Sequence, residues 1–418
     1  MRGRILSLAS LAFILLVLAV AVPVAAQDVP VPAQVGERED APPYALHGPY
    51  WVGYREFLIT KDPDNPIKAH LWYPALNPFG LSETFAYHVD LKIAAITEPL
   101  DLHTQGHALH NAAVNLADAP YPLIVFSHGF AVWSAFYAPV VEQWASHGFT
   151  VIGIEHHELF DDTYSAIPES AIKRPRDVTT ALDFAEHLTG TGGEFEGWFD
   201  MDRIAVAGHS FGGYTSLAIA GARFDFAAMN MRCAAVPEDD VFAQGLCKPM
   251  VGNEAAMARL AGFDPVPEGL WPSFGDPRVD VIVSMAGDSF MFDQAGLAEI
   301  TIPMMVLGGT ADTGTLYDWG TGPSFEYASS AEKVRVTFLG GEHMISGASC
   351  EDSPDVVAIF GPWVCMDPVW DKARVHDLIN HYTVAFLLAE LKGDADARAA
   401  LAPDAASFPG VEYSTVGF

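Results

Sequence analysis

The sequence predicts an α/β fold: a mostly parallel central sheet with helices on both faces. Three observations predict it. From about residue 120 onward, short apolar runs alternate with stretches of helical period, the βαβ order that builds such sheets. The runs are apolar at successive positions, as expected of strands buried on both faces. Between one run, Ile204-Ala205-Val206-Ala207, and the helical stretch Tyr214 to Ala220 stands Gly208-His209-Ser210-Phe211-Gly212-Gly213, a glycine-flanked serine at a strand-to-helix turn. That turn lifts a serine hydroxyl out of the sheet edge.

In chain order, Arg2 and Arg4 precede an apolar stretch from Ile5 to about Val22, followed by Val24-Ala25-Ala26. Residues 1–26 therefore read as a secretory signal peptide, with an uncleaved membrane anchor as the alternative reading. Residues 27–46, rich in Pro and acidic residues, read as an exposed lead-in, and 47–395 as one domain. Tyr50 to Thr60 and Ile67 to Tyr73 predict an antiparallel pair joined by the turn-rich 61–66. An insertion, 80–119, follows. Tyr121 to Phe126 is a buried strand, Ala135 to Ser146 a helix, Thr150 to Ile154 a strand and Arg174 to Leu188 a helix with Val178, Ala181, Leu182 and Ala185 on one face. Beyond the serine turn, 222–278 breaks the pattern and reads as a cap-like insertion over the active-site edge of the sheet. Strands Val279 to Met285, Ile302 to Leu307 and Val334 to Leu339 lead to a closing helix, about Asp371 to Leu391, and 396–418 reads as a loosely held tail.

A formal net charge of −31 argues against nucleic acid as a partner, since a polyanion needs clustered Lys and Arg. A neutral or apolar substrate fits better. Four cysteines, Cys233, Cys247, Cys350 and Cys365, in a chain read as exported predict two disulfides. Three connectivities are open, and near-neighbour pairing closes the shortest loops. The spacing lacks the C-x-x-C of a zinc site.

A serine hydroxyl needs a base to act as nucleophile. His343, on the loop after the last predicted strand, is at the same sheet edge as Ser210. Asp312, after the preceding strand, is the first choice to orient it, giving the chain order Ser, Asp, His expected of this architecture; Asp288, one strand earlier, is its rival. The backbone N–H groups of Phe211 and Phe130 are the candidate oxyanion donors, with His128 and Gly129 shaping the turn before Phe130.

These residues, with Leu71-Trp72-Tyr73-Pro74, Val125 to Phe130, Ala145 to Phe149 and Ile154-Glu155-His156, resemble an α/β-hydrolase of the platelet-activating-factor acetylhydrolase and predicted dienelactone hydrolase group. The resemblance covers about residues 50–392 and is strongest over 120–220. It implies a serine carboxylic-ester hydrolase of short-chain, lipid-derived or polyester-type esters. By similarity to the acetylhydrolases the acid is Asp288, whereas in bacterial polyester-hydrolase relatives the matching position is Asp312. Dienelactone hydrolases proper carry cysteine where this chain has Ser210.

No cofactor or metal is expected at this site. Glu155-His156-His157-Glu158 reads as a structural loop rather than a ligand set, and His103, His107 and His110 as one polar face of a helix, with a zinc site there as the alternative reading. The function expected is ester hydrolysis through an acyl-enzyme by a secreted or periplasmic protein, with a membrane involved only if the N-terminal segment stays uncleaved. Acyl transfer from the same intermediate, or a non-catalytic binding protein on this scaffold, are the alternatives.

Overall fold

The computed structural model describes residues 30–64, 66–161 and 163–418; the expected signal peptide, 1–26, lies outside them. Among the described residues twelve strands and eleven α-helices follow in the order β1 (Trp51–Ile59), β2 (Ile67–Ala75), β3 (Phe85–Leu91), β4 (Leu100–Gly106), β5 (Leu109–His110), β6 (Tyr121–Ser127), α1 (Ala138–Ser146), β7 (Thr150–Ile154), α2 (Ile167–Thr189), β8 (Phe199–His209), α3 (Phe211–Ile219), α4 (Phe226–Ala234), α5 (Val241–Met250), α6 (Glu254–Ala261), β9 (Val281–Met285), α7 (Asp293–Leu297), β10 (Met304–Gly309), α8 (Thr321–Tyr327), β11 (Lys333–Phe338), α9 (Pro354–Phe360), α10 (Lys372–Lys392), α11 (Ala395–Ala400) and β12 (Val411–Val416). Ten strands form one sheet in the order β12-β11-β10-β9-β8-β6-β7-β2-β1-β5, and β3 and β4 form a separate hairpin. From β11 to β7 neighbours run parallel; β2 joins antiparallel to β7 and β1.

Successive residues of each parallel strand serve opposite layers. Ile124, Phe126, Ala205, Ala207 and Val283 pack on the side of α1 and α10, whereas Leu123, Val125, Ile204, Val206 and Ile282 pack on the side of α2 and α3. This double burial is why the strands read as continuous apolar runs.

Two expectations are corrected. Helix α2 starts at Ile167, not Arg174, and carries Pro175 inside it. Proline has no N–H for the carbonyl four residues back, and that carbonyl, Ala171 O, instead accepts from Tyr214 Oη at 2.6 Å. A side chain of α3 thus repairs the gap that made the segment look unlike a helix. The tail is not loose: after α11, β12 pairs antiparallel with β11 from Val411 opposite Phe338 to Val416 opposite Lys333, so the sheet continues past residue 395. The described part of the lead-in is largely exposed but anchored, with the Glu37 and Arg38 N–H groups on the Asp377 carboxylate at 2.9 and 3.0 Å.

The disulfides join Cys233 to Cys247 and Cys350 to Cys365. The first ties α4 to α5; the second brackets α9.

Two glycines set the contact between β6 and the serine turn. A Cβ on Gly212 would lie 1.8 Å from the Ser127 carbonyl oxygen, and one on Gly208 would lie 2.4 Å from the Gly212 carbonyl group. Gly212→Ala should therefore destabilise the protein by about 3 kcal/mol or more, the upper range for overpacking, measured by denaturant unfolding. Gly245→Ala on α5, where a Cβ meets nothing within 4 Å, should instead be neutral or slightly stabilising.

Candidate active site

Ser210 sits at the junction of β8 and α3 with φ 56° and ψ −120°. A non-glycine residue adopts this conformation only where its surroundings enforce it. Here the Ser210 N–H donates to Met285 O at the end of β9 at 2.9 Å, and Tyr214 N–H returns to Ser210 O at 3.0 Å. Asp312 follows β10 and His343 follows β11, so three parallel strands of the one sheet, β8, β10 and β11, deliver the three side chains to one edge.

The side chains meet in order. His343 Nε2 is 2.8 Å from Ser210 Oγ, and His343 Nδ1 is 3.0 Å from Asp312 Oδ2. A carboxylate only accepts, so Nδ1 carries the hydrogen and Nε2 offers its lone pair to the hydroxyl. Asp312 is itself fixed: its Oδ1 accepts from the Gly314 and Thr315 N–H groups at 2.9 and 2.7 Å. Burial by itself lowers the His343 pKa, but the adjoining Asp312 carboxylate outweighs it and leaves the ring more basic than an ordinary histidine.

The structure brings Asp312, not Asp288, onto the imidazole. Asp288 is buried close by and lines the same cavity. Its Oδ1 has no hydrogen-bond partner among the described residues. Burial pushes its pKa up to about 7; His343 pulls it down, and the like charge of Asp312 adds to the rise.

Phe130 and Phe211 both line the cavity beside Ser210. Among the described residues neither N–H donates to a backbone carbonyl. Gly129 lies against the nucleophile, since a Cβ there would be 3.4 Å from Ser210 Cβ. His128 supports this turn from beneath: its Nε2 accepts the His156 N–H at 3.1 Å, so its Nδ1 carries the hydrogen and donates to Gly129 O at 2.7 Å. Buried Arg174 adds a clamp. Its guanidinium donates to His128 O and to Gly129 O, and holds Glu158 through two bonds of 2.6 and 2.7 Å. Burial alone would raise the Glu158 pKa, yet Arg174 holds it at about 2. The Glu155-His156-His157-Glu158 run is spent on such contacts: Glu155 accepts the Ser134 N–H, His156 bridges Ser127 and Asp177, and His157 bonds Pro66 O.

His209, inside the serine turn, received no role from the sequence. Its Nε2 donates to His343 O at 2.8 Å, and its Nδ1 accepts from Tyr137 Oη at 2.8 Å. It thereby ties the serine loop to the histidine loop. Only its position next to Ser210 could have drawn attention to it.

The site opens into a cavity of about 890 Å³. Its walls are mainly apolar: Phe130, Phe160 and Ile167 below the oxyanion turn, Phe242 and Leu246 from α5, and Val356 and Phe360 from α9. Of the predicted insertion, α5 lines the cavity, while α6 packs against α2. Among the described residues, the one group of His, Cys, Asp or Glu atoms spaced for a metal lies outside this lining.

Fold and site together define an α/β-hydrolase. Within that class parts of the chain are similar to two families: residues 40–175 match the profile described as platelet-activating factor acetylhydrolase, isoform II, and residues 111–245 that described as chlorophyllase. A cutinase of Thermobifida alba, est1, is 35% identical over 108 residues, or 26% of this chain and 33% of the relative. The platelet-activating factor acetylhydrolase of Cavia porcellus is 29% identical over 224 residues, 40% of this chain and 50% of the relative. That of Bos taurus is 26% identical over 210 residues, 38% and 44%. The chain thus spans between a third and a half of the length of these relatives.

Removing Arg174 would leave Glu158 charged, buried and unpaired, which typically costs about 3–5 kcal/mol. Arg174→Met should lower unfolding free energy by that order in chemical denaturation, and Glu158→Gln in the same chain should recover part of the loss.

Proposed function

We propose that this chain is a serine carboxylic-ester hydrolase acting through an acyl-enzyme on uncharged esters with apolar acyl groups. The observation that carries the reading is the hydrogen-bonded series Ser210, His343, Asp312 opening directly into an apolar cavity. Similarity to cutinases and acetylhydrolases, both families of carboxylic-ester hydrolases, supports it.

In this reading Ser210 Oγ attacks the ester carbonyl while His343 Nε2 takes its proton. The tetrahedral oxyanion is held by the N–H groups of Phe130 and Phe211. His343 then passes the proton to the departing alcohol, leaving the acyl group on Ser210. Water, deprotonated by the same ring, attacks the acyl group, and the ring returns that proton to Ser210 Oγ as the acid leaves. Asp312 keeps the ring in its working tautomer. Asp288, whose pKa burial raises to about 7, stands beside this pair without bonding to it and is not the orienting acid. We further propose that the protein works outside the reducing cytoplasm, supported by the two disulfides and by the leader-like character of 1–26.

Purified protein should hydrolyse short p-nitrophenyl esters, and Ser210→Ala should reduce kcat by at least about 10⁴-fold; equal rates in the two proteins would rule the mechanism out. Fluorophosphonate labelling of wild type but not of Ser210→Ala separates an enzyme from a binding protein, and product analysis with a competing alcohol separates hydrolysis from acyl transfer.

Asp312→Asn should cost about 10⁴-fold in kcat by analogy with other triads, while Asp288→Asn should cost far less; the reverse ranking would exchange their roles. Because neutral His343 is the active form and its pKa is raised, kcat/KM should climb with pH through a limb centred above the ordinary histidine value of about 6.5. A pH series of initial rates measures it.

A further inference from the structure

The hairpin β3–β4 lies apart from the main sheet, and its register places His88 opposite His103 and Asp90 opposite Asp101. Side chains two apart on a strand share a face, so the four form one two-by-two patch. His88 Nε2 is 2.5 Å from Asp101 Oδ1 and 3.9 Å from Asp90 Oδ1, and His103 Nε2 is 3.7 Å from Asp101 Oδ1. One ligand atom each from His88, Asp101 and His103 fall within 4.8 Å of one another. Ligands about 2.0–2.1 Å from a tetrahedral ion are about 3.3 Å from each other. The observed separations bracket that value, and the side chains are exposed enough to adjust.

A second observation points to a ligand. Asp355, in the first turn of α9, accepts from His103 Nδ1 at 2.9 Å and from the His103 N–H at 3.2 Å. The carboxylate fixes the hydrogen on Nδ1 and turns the Nε2 lone pair toward Asp101 and His88, the outer-shell arrangement that orients metal-binding histidines. The hairpin is also a firm platform: Tyr87, Leu102 and Thr104, which alternate with the patch, are fully buried, and Tyr87 Oη bonds both Trp72 Nε1 and Glu142.

We propose that His88, His103 and Asp101, with Asp90 as a fourth ligand, bind one divalent transition metal ion of the zinc type. Two imidazoles with carboxylates suit borderline ions over Ca²⁺ or Mg²⁺, which favour all-oxygen sites. The spacing-based grouping of His103 with His107 and His110 on a helix does not hold, because 100–106 and 109–110 are strands; the partner of His103 comes from the opposite strand. The ion has no part in ester cleavage. It reinforces a cavity wall, since the hairpin is joined to the α9 segment by Gln105 N–H to Asp352 O at 2.7 Å and by His103 to Asp355, and Val356 and Phe360 of α9 line the cavity.

The test uses untagged full-length protein, stripped with chelator and titrated calorimetrically with Zn²⁺, with Ca²⁺ and Mg²⁺ as comparison ions. Expected are one equivalent of Zn²⁺ at micromolar or tighter Kd, a raised Tm, and at least tenfold weaker binding in His88→Ala and in His103→Ala. His88→Ala should keep the Tm of the metal-free protein, which separates a lost ligand from misfolding. Absence of saturable binding, a stoichiometry untouched by either substitution, or equal affinity for Ca²⁺ would overturn the proposal. These readouts are independent of esterase activity.

Discussion

The organisation of the active edge depends on a backbone contact between two segments distant in sequence: the Ser127 carbonyl at the end of β6 against Gly212 in the first turn of α3. No side chain fits between them. That contact sets the distance from the oxyanion turn to the nucleophile, and the remaining parts of the site are arranged around it. Arg174 and His128 support one side, through the Gly129 carbonyl they share. Met285 and His209 support the other, linking Ser210 to β9 and to the His343 loop. The strained Ser210 backbone is thus held by hydrogen bonds on both flanks.

A comparison inside the molecule shows what makes such an arrangement a site. Ser127 Oγ, His156 Nε2, His156 Nδ1 and Asp177 Oδ2 stand at 2.9 and 2.8 Å, the same connectivity as Ser210, His343 and Asp312. Ser127 is fully buried beneath the oxyanion turn, where no carbonyl of a substrate could reach it. Ser210 differs by its exposure to the cavity and by the free N–H groups beside it, so geometry among the three side chains alone does not identify a nucleophile.

Much of the fold was legible because doubly buried parallel strands leave an unmistakable apolar signature, and the site was legible because each of its residues follows such a strand. Asp312 against Asp288 was not decidable, as both follow strands at the same edge; the decision lies in the loop after β10, which returns Asp312 to His343 while the Gly314 and Thr315 N–H groups hold it. Pro175 hid the first turns of α2, since its compensation comes from Tyr214, far along the chain. β12 was not legible: Val411-Glu412-Tyr413-Ser414 alternates apolar with polar, but Thr415-Val416 breaks the pattern and an Ala-rich stretch precedes it. The histidine pairing across β3 and β4 depends on register, which spacing within one strand does not reveal.

The disulfides have a consequence for how the molecule would fail. Each closes a short stretch within one margin of the cavity, α4–α5 or the segment around α9, and neither crosses the sheet. The central layers rely on packing alone, whereas the mouth relies on covalent closure of loops that would otherwise gain conformational freedom. Reduction therefore acts first as local, sub-global opening. The margins would fluctuate and lose their grip on substrate while the sheet stayed intact, so in a thiol-rich medium occupancy of the cavity and survival of the fold would part company.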